Sequence, residues 1–162
     1  MPIQSVRWAV SLLAALTLAL PVLGQQTSVT RHCSSIGGTM ATNLAVIGQS
    51  TTLGTATGDL KGAVAATILN VTQNPDGTAS FTVQHHFVSE SGDTITFARA
   101  TAVTMPLSAT RFAIIDYPVH ISGGTGKYTN ATADMDSIGE VDLGSGQSVF
   151  RYTGKLCLAV GE

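Results

Sequence analysis

Residues 121–135 read ISGGTGKYTNATADM. Three glycines and a threonine stand before Lys127 and Tyr128, so the segment is either a cradle for phosphate or a turn that the fold needs. A P-loop requires a glycine five positions before its Gly-Lys pair and a hydroxyl residue directly after the lysine, the first to wrap the phosphate and the second to hold Mg²⁺. Position 121 is isoleucine and position 128 is tyrosine, so neither requirement is met. The glycines instead allow positive φ and close backbone approach where a strand ends and the chain reverses, with Tyr128 folding back onto apolar surface.

Around this turn the chain has a period of two. From Met40 onward, short runs rich in Val, Ile, Thr, Phe and Tyr alternate with Gly, Asn, Asp and Ser, and no 3.6-residue apolar stripe competes. The pattern predicts strands over 40–48, 62–71, 79–89, 94–105, 112–121, 133–141 and 149–158. Turn chemistry separates them at Asn74-Pro75-Asp76-Gly77, Ser91-Gly92-Asp93 and Gly144-Ser145-Gly146. Loops this short imply an antiparallel meander, and seven or eight strands in one small domain bury their edges most simply by closing into a barrel.

The N-terminus has a different character. Arg7 precedes an apolar run from Trp8 to Leu20, then Pro21 and the small-residue site Val22-Leu23-Gly24, the plan of a secretory signal peptide cut after residue 24. The run is short for a membrane span, and nothing later is apolar for the roughly 20 residues a helix requires. Of the 162 residues, 138 then remain as a single domain, residues 25–162, and the net charge moves from −2 to −3 as Arg7 leaves. The remaining Lys and Arg are scattered singly, which excludes a nucleic-acid surface. Only 11% of residues are charged, implying an exterior of Thr, Ser and Asn and leaving room for apolar surface covered in a homo-oligomer.

Export also decides the reading of the cysteines. The mature chain has two, Cys33 near its start and Cys157 near its end, and an oxidising compartment, extracellular or periplasmic, favours one disulfide joining the first strand to the last. Asn70-Val71-Thr72 and Asn130-Ala131-Thr132 are glycosylation sequons, which matter if the secreting cell is eukaryotic.

Alternation indicates the inner faces. Ala113, Ile115, Tyr117, Val119 and Ile121 form one apolar face, and Phe150, Tyr152, Gly154 and Leu156 another, opposite Val149, Arg151, Thr153 and Lys155. Phe81, Val83, His85 and Phe87, and Ile95, Phe97, Arg99, Thr101 and Val103, would make two more. If those two point inward, His85 and Arg99 are buried polar groups that need partners.

Three segments in order, GDLKGAV (58–64), HHFVSESGDTITFA (85–98) and SGGTGKY (122–128), resemble the allene oxide cyclase barrel superfamily, which includes plant dirigent proteins. The resemblance implies an all-β fold, a single eight-stranded antiparallel barrel, often oligomeric, whose lumen takes a small apolar or aromatic molecule and guides its cyclisation or isomerisation without a cofactor. The family's carboxylates do not carry over. Residues 45–58 read AVIGQSTTLGTATG, with no acid before Asp59, and the next strand reads AVAATILNV.

Candidate catalytic residues are therefore the polar groups of the inner faces: His85, Arg99, Tyr117 and Tyr152. Arg99 could bind an enolate or carboxylate through its planar fork, or pair structurally with Asp116 or Glu90. The tyrosines could offer phenols to a ligand oxygen or merely satisfy a neighbour. His85 and His86 point to opposite faces and make no metal site, since a sheet-borne site uses His-x-His. Asp116 and His120 share a face about 13 Å apart, too far for a catalytic pair. Two other functions stay open, a non-catalytic lipocalin-like carrier and a structural secreted barrel whose lumen is plugged by Phe81, Phe87, Phe97 and Phe150.

Overall fold

A computed structural model describes residues 30–45 and 47–160. The expected signal peptide lies outside the described residues. The strands are β1 (Arg31–Leu44), β2 (Thr51–Gly58), β3 (Gly62–Gln73), β4 (Ala79–Ser89), β5 (Thr94–Phe97), β6 (Ala100–Pro106), β7 (Arg111–Asp116), β8 (Pro118–Gly124), β9 (Thr132–Asp142) and β10 (Gln147–Ala159). Every pairing is antiparallel. β4 pairs with both β5 and β6, and β9 with both β7 and β8, so β5–β6 and β7–β8 are each one stave broken in the middle. That makes eight staves, and β10 pairs with β9 on one side and β1 on the other, closing the barrel.

The seam is stapled where the cysteines predicted. Cys33 and Cys157 are directly opposite in the β1–β10 ladder and form a disulfide. All three quoted turns join strands as expected, with Gly77, Gly92 and Gly146 at positive φ.

The first two strands depart from the sequence reading. One strand over 40–48 is replaced by β1, which begins nine residues earlier, and by β2, which no expectation covered. Both are made of small and polar residues that give little apolar alternation. Their glycines have a packing reason: a Cβ on Gly54 would lie 1.9 Å from the Ala41 carbonyl oxygen, and one on Gly38 would lie 2.0 Å from that of Thr57 and 2.5 Å from the Tyr152 hydroxyl.

Each broken stave also exchanges its faces at the break. Ile95 and Phe97 point inward, but beyond the two residues between β5 and β6 the inward set becomes Ala100, Ala102 and Thr104. In β7, Ile114 is buried and Ile115 is 46% exposed, whereas Tyr117, Val119 and Ile121 beyond it are buried. Asp116 pairs with Val103 and Ile114 with Thr104, leaving Ile115 as the extra residue of a bulge, which reverses the alternation. Ile115 is therefore corrected from lumen to exterior, and Ile114 from exterior to lumen. Arg99, in the break between β5 and β6, is exposed rather than inside.

At the end of the barrel holding the β2–β3 and β4–β5 turns, the interior is filled solid by Leu60, Phe87, Tyr128, Tyr152 and Ala131, all 2% exposed or less. The 121–135 stretch contributes to that plug. A single 3₁₀ turn, Gly126–Tyr128, follows β8, the Thr125 hydroxyl accepts the Thr94 N–H at 2.9 Å, and Tyr128 packs edge-on against Phe87. Gly126 has φ +54 and Gly124 passes so close to Thr94 that a Cβ would meet its carbonyl oxygen at 2.2 Å. The glycine-rich segment thus builds the closed end.

Candidate functional site

The opposite end, where the β1–β2, β3–β4, β6–β7 and β9–β10 turns gather, is not filled. Ile68, Phe81, Val83, Ile114 and Phe150 surround an apolar cavity of about 50 Å³, with Tyr117 also on its wall. Ligand pockets usually have several hundred Å³, so this one admits a small guest, or one end of a larger guest whose remainder stays at the mouth. The polar groups around it are largely committed. Thr104 donates to the Ala79 carbonyl at 3.0 Å and Thr52 to that of Ala66 at 3.3 Å, and the Thr42 and Ser148 hydroxyls bond each other.

Asp142 accepts the Gly144 N–H at 2.8 Å, Gln147 is exposed, and Tyr117 is paired with an imidazole. Its hydroxyl lies 2.6 Å from Nε2 of His85, whose ring packs against Phe97 at a centroid distance of 5.4 Å. The two residues arrive from different staves: His85 continues the inward set Phe81, Val83 of β4, and the bulge after Ile114 turns Tyr117 inward beside it. Nδ1 of His85 is shut off from solvent and has no hydrogen-bond partner among the described residues. Burial, with a smaller repulsion from the neighbouring His86, lowers the imidazole pKa to about 4. Burial likewise raises that of the Tyr117 phenol well above its ordinary value. At neutral pH the pair is uncharged, so it offers hydrogen bonds without a fixed charge.

Tyr152 is placed differently. It faces inward as its alternation implied, but at the plugged end, where its hydroxyl accepts the Leu60 N–H at 2.8 Å and donates to the Thr57 carbonyl at 2.9 Å. Both functions of that hydroxyl are used within the fold. Arg99 has no carboxylate within ion-pair distance among the described residues, so neither Asp116 nor Glu90 pairs with it. The ion pair on the exterior is instead Arg111 with Glu140, through two hydrogen bonds of 2.8 and 2.9 Å. His120 meets Asp134 on β9 at 2.6 Å, and His86 is exposed on the outer face of β4.

Of the four candidates, then, the structure brings His85 and Tyr117 together, with Tyr117 on the cavity wall and His85 beside it, leaves Tyr152 in the plug and turns Arg99 out. The apolar wall included one residue that alternation assigned to the exterior, Ile114. Pro118 carried the missing signal, because proline has no N–H for a ladder and within a strand run it marks an edge or a bulge.

No protein-family profile matches the chain, and a search of curated proteins found no match. The solved structures similar to it include two dirigent proteins. The pterocarpan synthase dirigent protein GePTS1 is 14% identical, with 84% of this chain and 90% of that one covered and a TM-score of 0.36. The pterocarpan synthase dirigent protein PsPTS1 is 12% identical, with 80% and 97% covered and a TM-score of 0.36.

Proposed function

We propose that the protein is an exported barrel that takes a small apolar molecule, or the apolar end of one, into its open end and guides its cyclisation or isomerisation. The observation that carries this reading is the Tyr117–His85 pair at an otherwise apolar cavity, with one of its polar atoms unsatisfied. A buried polar pair costs stability unless fully bonded, and a core meant only to be filled would place apolar side chains there. Export is supported by the Cys33–Cys157 disulfide, a bond that persists in oxidising compartments.

Such a site would act by holding one reactive conformer and excluding water, with Tyr117 stabilising charge that develops on a ligand oxygen. Neither step calls for a cofactor. Arg99 and Tyr152 have no part in it, the first because it faces solvent and the second because its hydroxyl is occupied. Ile138 and Val149, 48% and 57% exposed on β9 and β10, are apolar area that a homo-oligomer would cover.

The small cavity favours a second reading, a structural barrel whose lumen is nearly full. Native mass spectrometry of the protein purified from its own secretions separates the two. A small molecule released from the native but not the denatured form supports the binding reading, and conversion of that molecule or its precursor would then test turnover. A clean, empty mass that stays empty after exposure to polyene and phenolic extracts would establish the structural reading instead.

A further inference from the structure

The two ends of the barrel carry different turns. At the plugged end the connections are Asp59-Leu60-Lys61, Glu90-Ser91-Gly92-Asp93 and residues 125–131; their large apolar side chains, Leu60 and Tyr128, are buried, while Asp59, Lys61, Glu90 and Lys127 meet solvent. At the open end the pattern is inverted. Ile47 between β1 and β2 is 63% exposed, Leu107 between β6 and β7 53%, and Leu143 between β9 and β10 38%. The fourth turn there, between β3 and β4, presents Pro75 beside Asp76, the single charged residue of those four turns. Turn geometry favours Gly, Asn, Asp, Ser and Pro, so the exposed aliphatic residues are not needed to shape the chain reversals.

The three turns are joined to one another. The Leu44 N–H, at the end of β1, donates to the Gly146 carbonyl, and the Leu143 N–H donates to the Thr110 carbonyl at 2.8 Å, so the β9–β10 turn is bonded to its neighbours on both sides. Leu143 also lines the cavity, which makes the apolar rim continuous with the apolar wall inside. Turn tips standing around an opening suit a fluid surface that adapts to their relief. A protein strand has no edge to join, because every stave among the described residues already has two neighbours. The charges select the kind of surface: Arg111 beside the rim is paired with Glu140, Asp76 and Asp142 are acidic, and the four turns hold no Lys or Arg to meet anionic headgroups. We infer that the open end docks on an electrically neutral phospholipid surface, with Ile47, Leu107 and Leu143 entering the boundary between headgroups and acyl chains. Delivery of an apolar guest from that surface rests on the binding reading above, whereas the docking itself does not.

Co-sedimentation of the secreted protein with phosphatidylcholine vesicles at millimolar lipid tests the docking. Wild type should sediment with the vesicles, and no more strongly when phosphatidylserine is added. Ile47→Ser, Leu107→Ser and Leu143→Ser should each lower the partition coefficient about tenfold, the effect of withdrawing one aliphatic side chain from an apolar phase. Val149→Ser removes an equally exposed aliphatic group from the flank of the barrel and should leave the partition coefficient unchanged. Wild type that stays in the supernatant overturns the inference, as does a loss just as large with Val149→Ser or a preference for the anionic vesicles. A protein that ignores vesicles yet releases a small molecule in native mass spectrometry loses the docking and keeps the binding reading. One that sediments with vesicles but retains no guest keeps the docking and loses the other.

Discussion

His85, like Tyr117 beside it, is held in an environment far from that of a free side chain, and the consequence extends to folding. Its imidazole has a pKa of about 4 in the folded chain against 6.5 when exposed, because burial disfavours the charged ring and His86 adds a smaller repulsion. Between these values the unfolded chain binds a proton that the folded chain does not, so stability falls as pH is lowered through that window. At about 1.4 kcal/mol per pH unit the loss approaches about 3 kcal/mol. Asp76 and Asp142 are stabilised in their charged forms by hydrogen bonds, and their contribution is lost at lower pH, below the ordinary aspartate range. Urea unfolding at pH 7 and pH 4.5 should therefore show a drop in wild type that His85→Gln largely removes. An equal drop in both proteins would mean that the ring is hydrated or charged in the fold.

At the scale of elements, glycine and aromatic residues cooperate where the sequence pattern is weakest. Tyr152 on β10 is directly opposite Gly38 on β1, and Gly38 in turn pairs with Gly58 on β2. Removing side chains from β1 lets the tyrosine ring lie across the strand and reach Thr57 on β2 and Leu60 in the turn after it, so one phenol ties β10 to β2 across β1. Gly38→Ala should therefore cost about 3 kcal/mol or more, since backbone on one side and a bonded ring on the other leave the new methyl nowhere to go. A midpoint of chemical unfolding within experimental error of wild type would show that β1 shifts freely.

The same strands explain what could be read in advance. β3, β4, β9 and β10 were visible because Val, Ile, Phe and Tyr alternate between quoted turn residues, and Phe150, Tyr152 and Leu156 did point inward. β2 was not visible, because TTLGTATG has little apolar period and owes its place to close approach of neighbouring backbones. Arg99 and Ile115 were misplaced for a common cause: a strict period of two cannot anticipate a bulge, and each lies where a stave exchanges its faces. A charge in the middle of an apolar alternation was itself a sign of the first break. His85 and Tyr117 were recognised separately, but their contact depends on the bulge after Ile114, so the pair was not legible from spacing.

For the whole molecule the decisive event is closure. Seven of the eight stave contacts join neighbours along the chain, whereas β1 and β10 come from opposite ends and pair from Arg31 with Ala159 to Asn43 with Gln147. That contact carries the largest loop entropy in the fold, and the disulfide spans the same separation of 124 residues. In the chain-entropy account a bond closing a loop of this length contributes up to about 5 kcal/mol by restricting the unfolded chain, less whatever structure the reduced chain retains. Replacing both cysteines, as Cys33→Ser with Cys157→Ser, should lower the free energy of unfolding in urea by several kcal/mol while leaving the barrel's β signature in circular dichroism intact below the transition. If oxidised wild type and the double variant unfold at the same urea concentration, the β1–β10 ladder closes the barrel by itself, and the disulfide's contribution lies elsewhere than in stability.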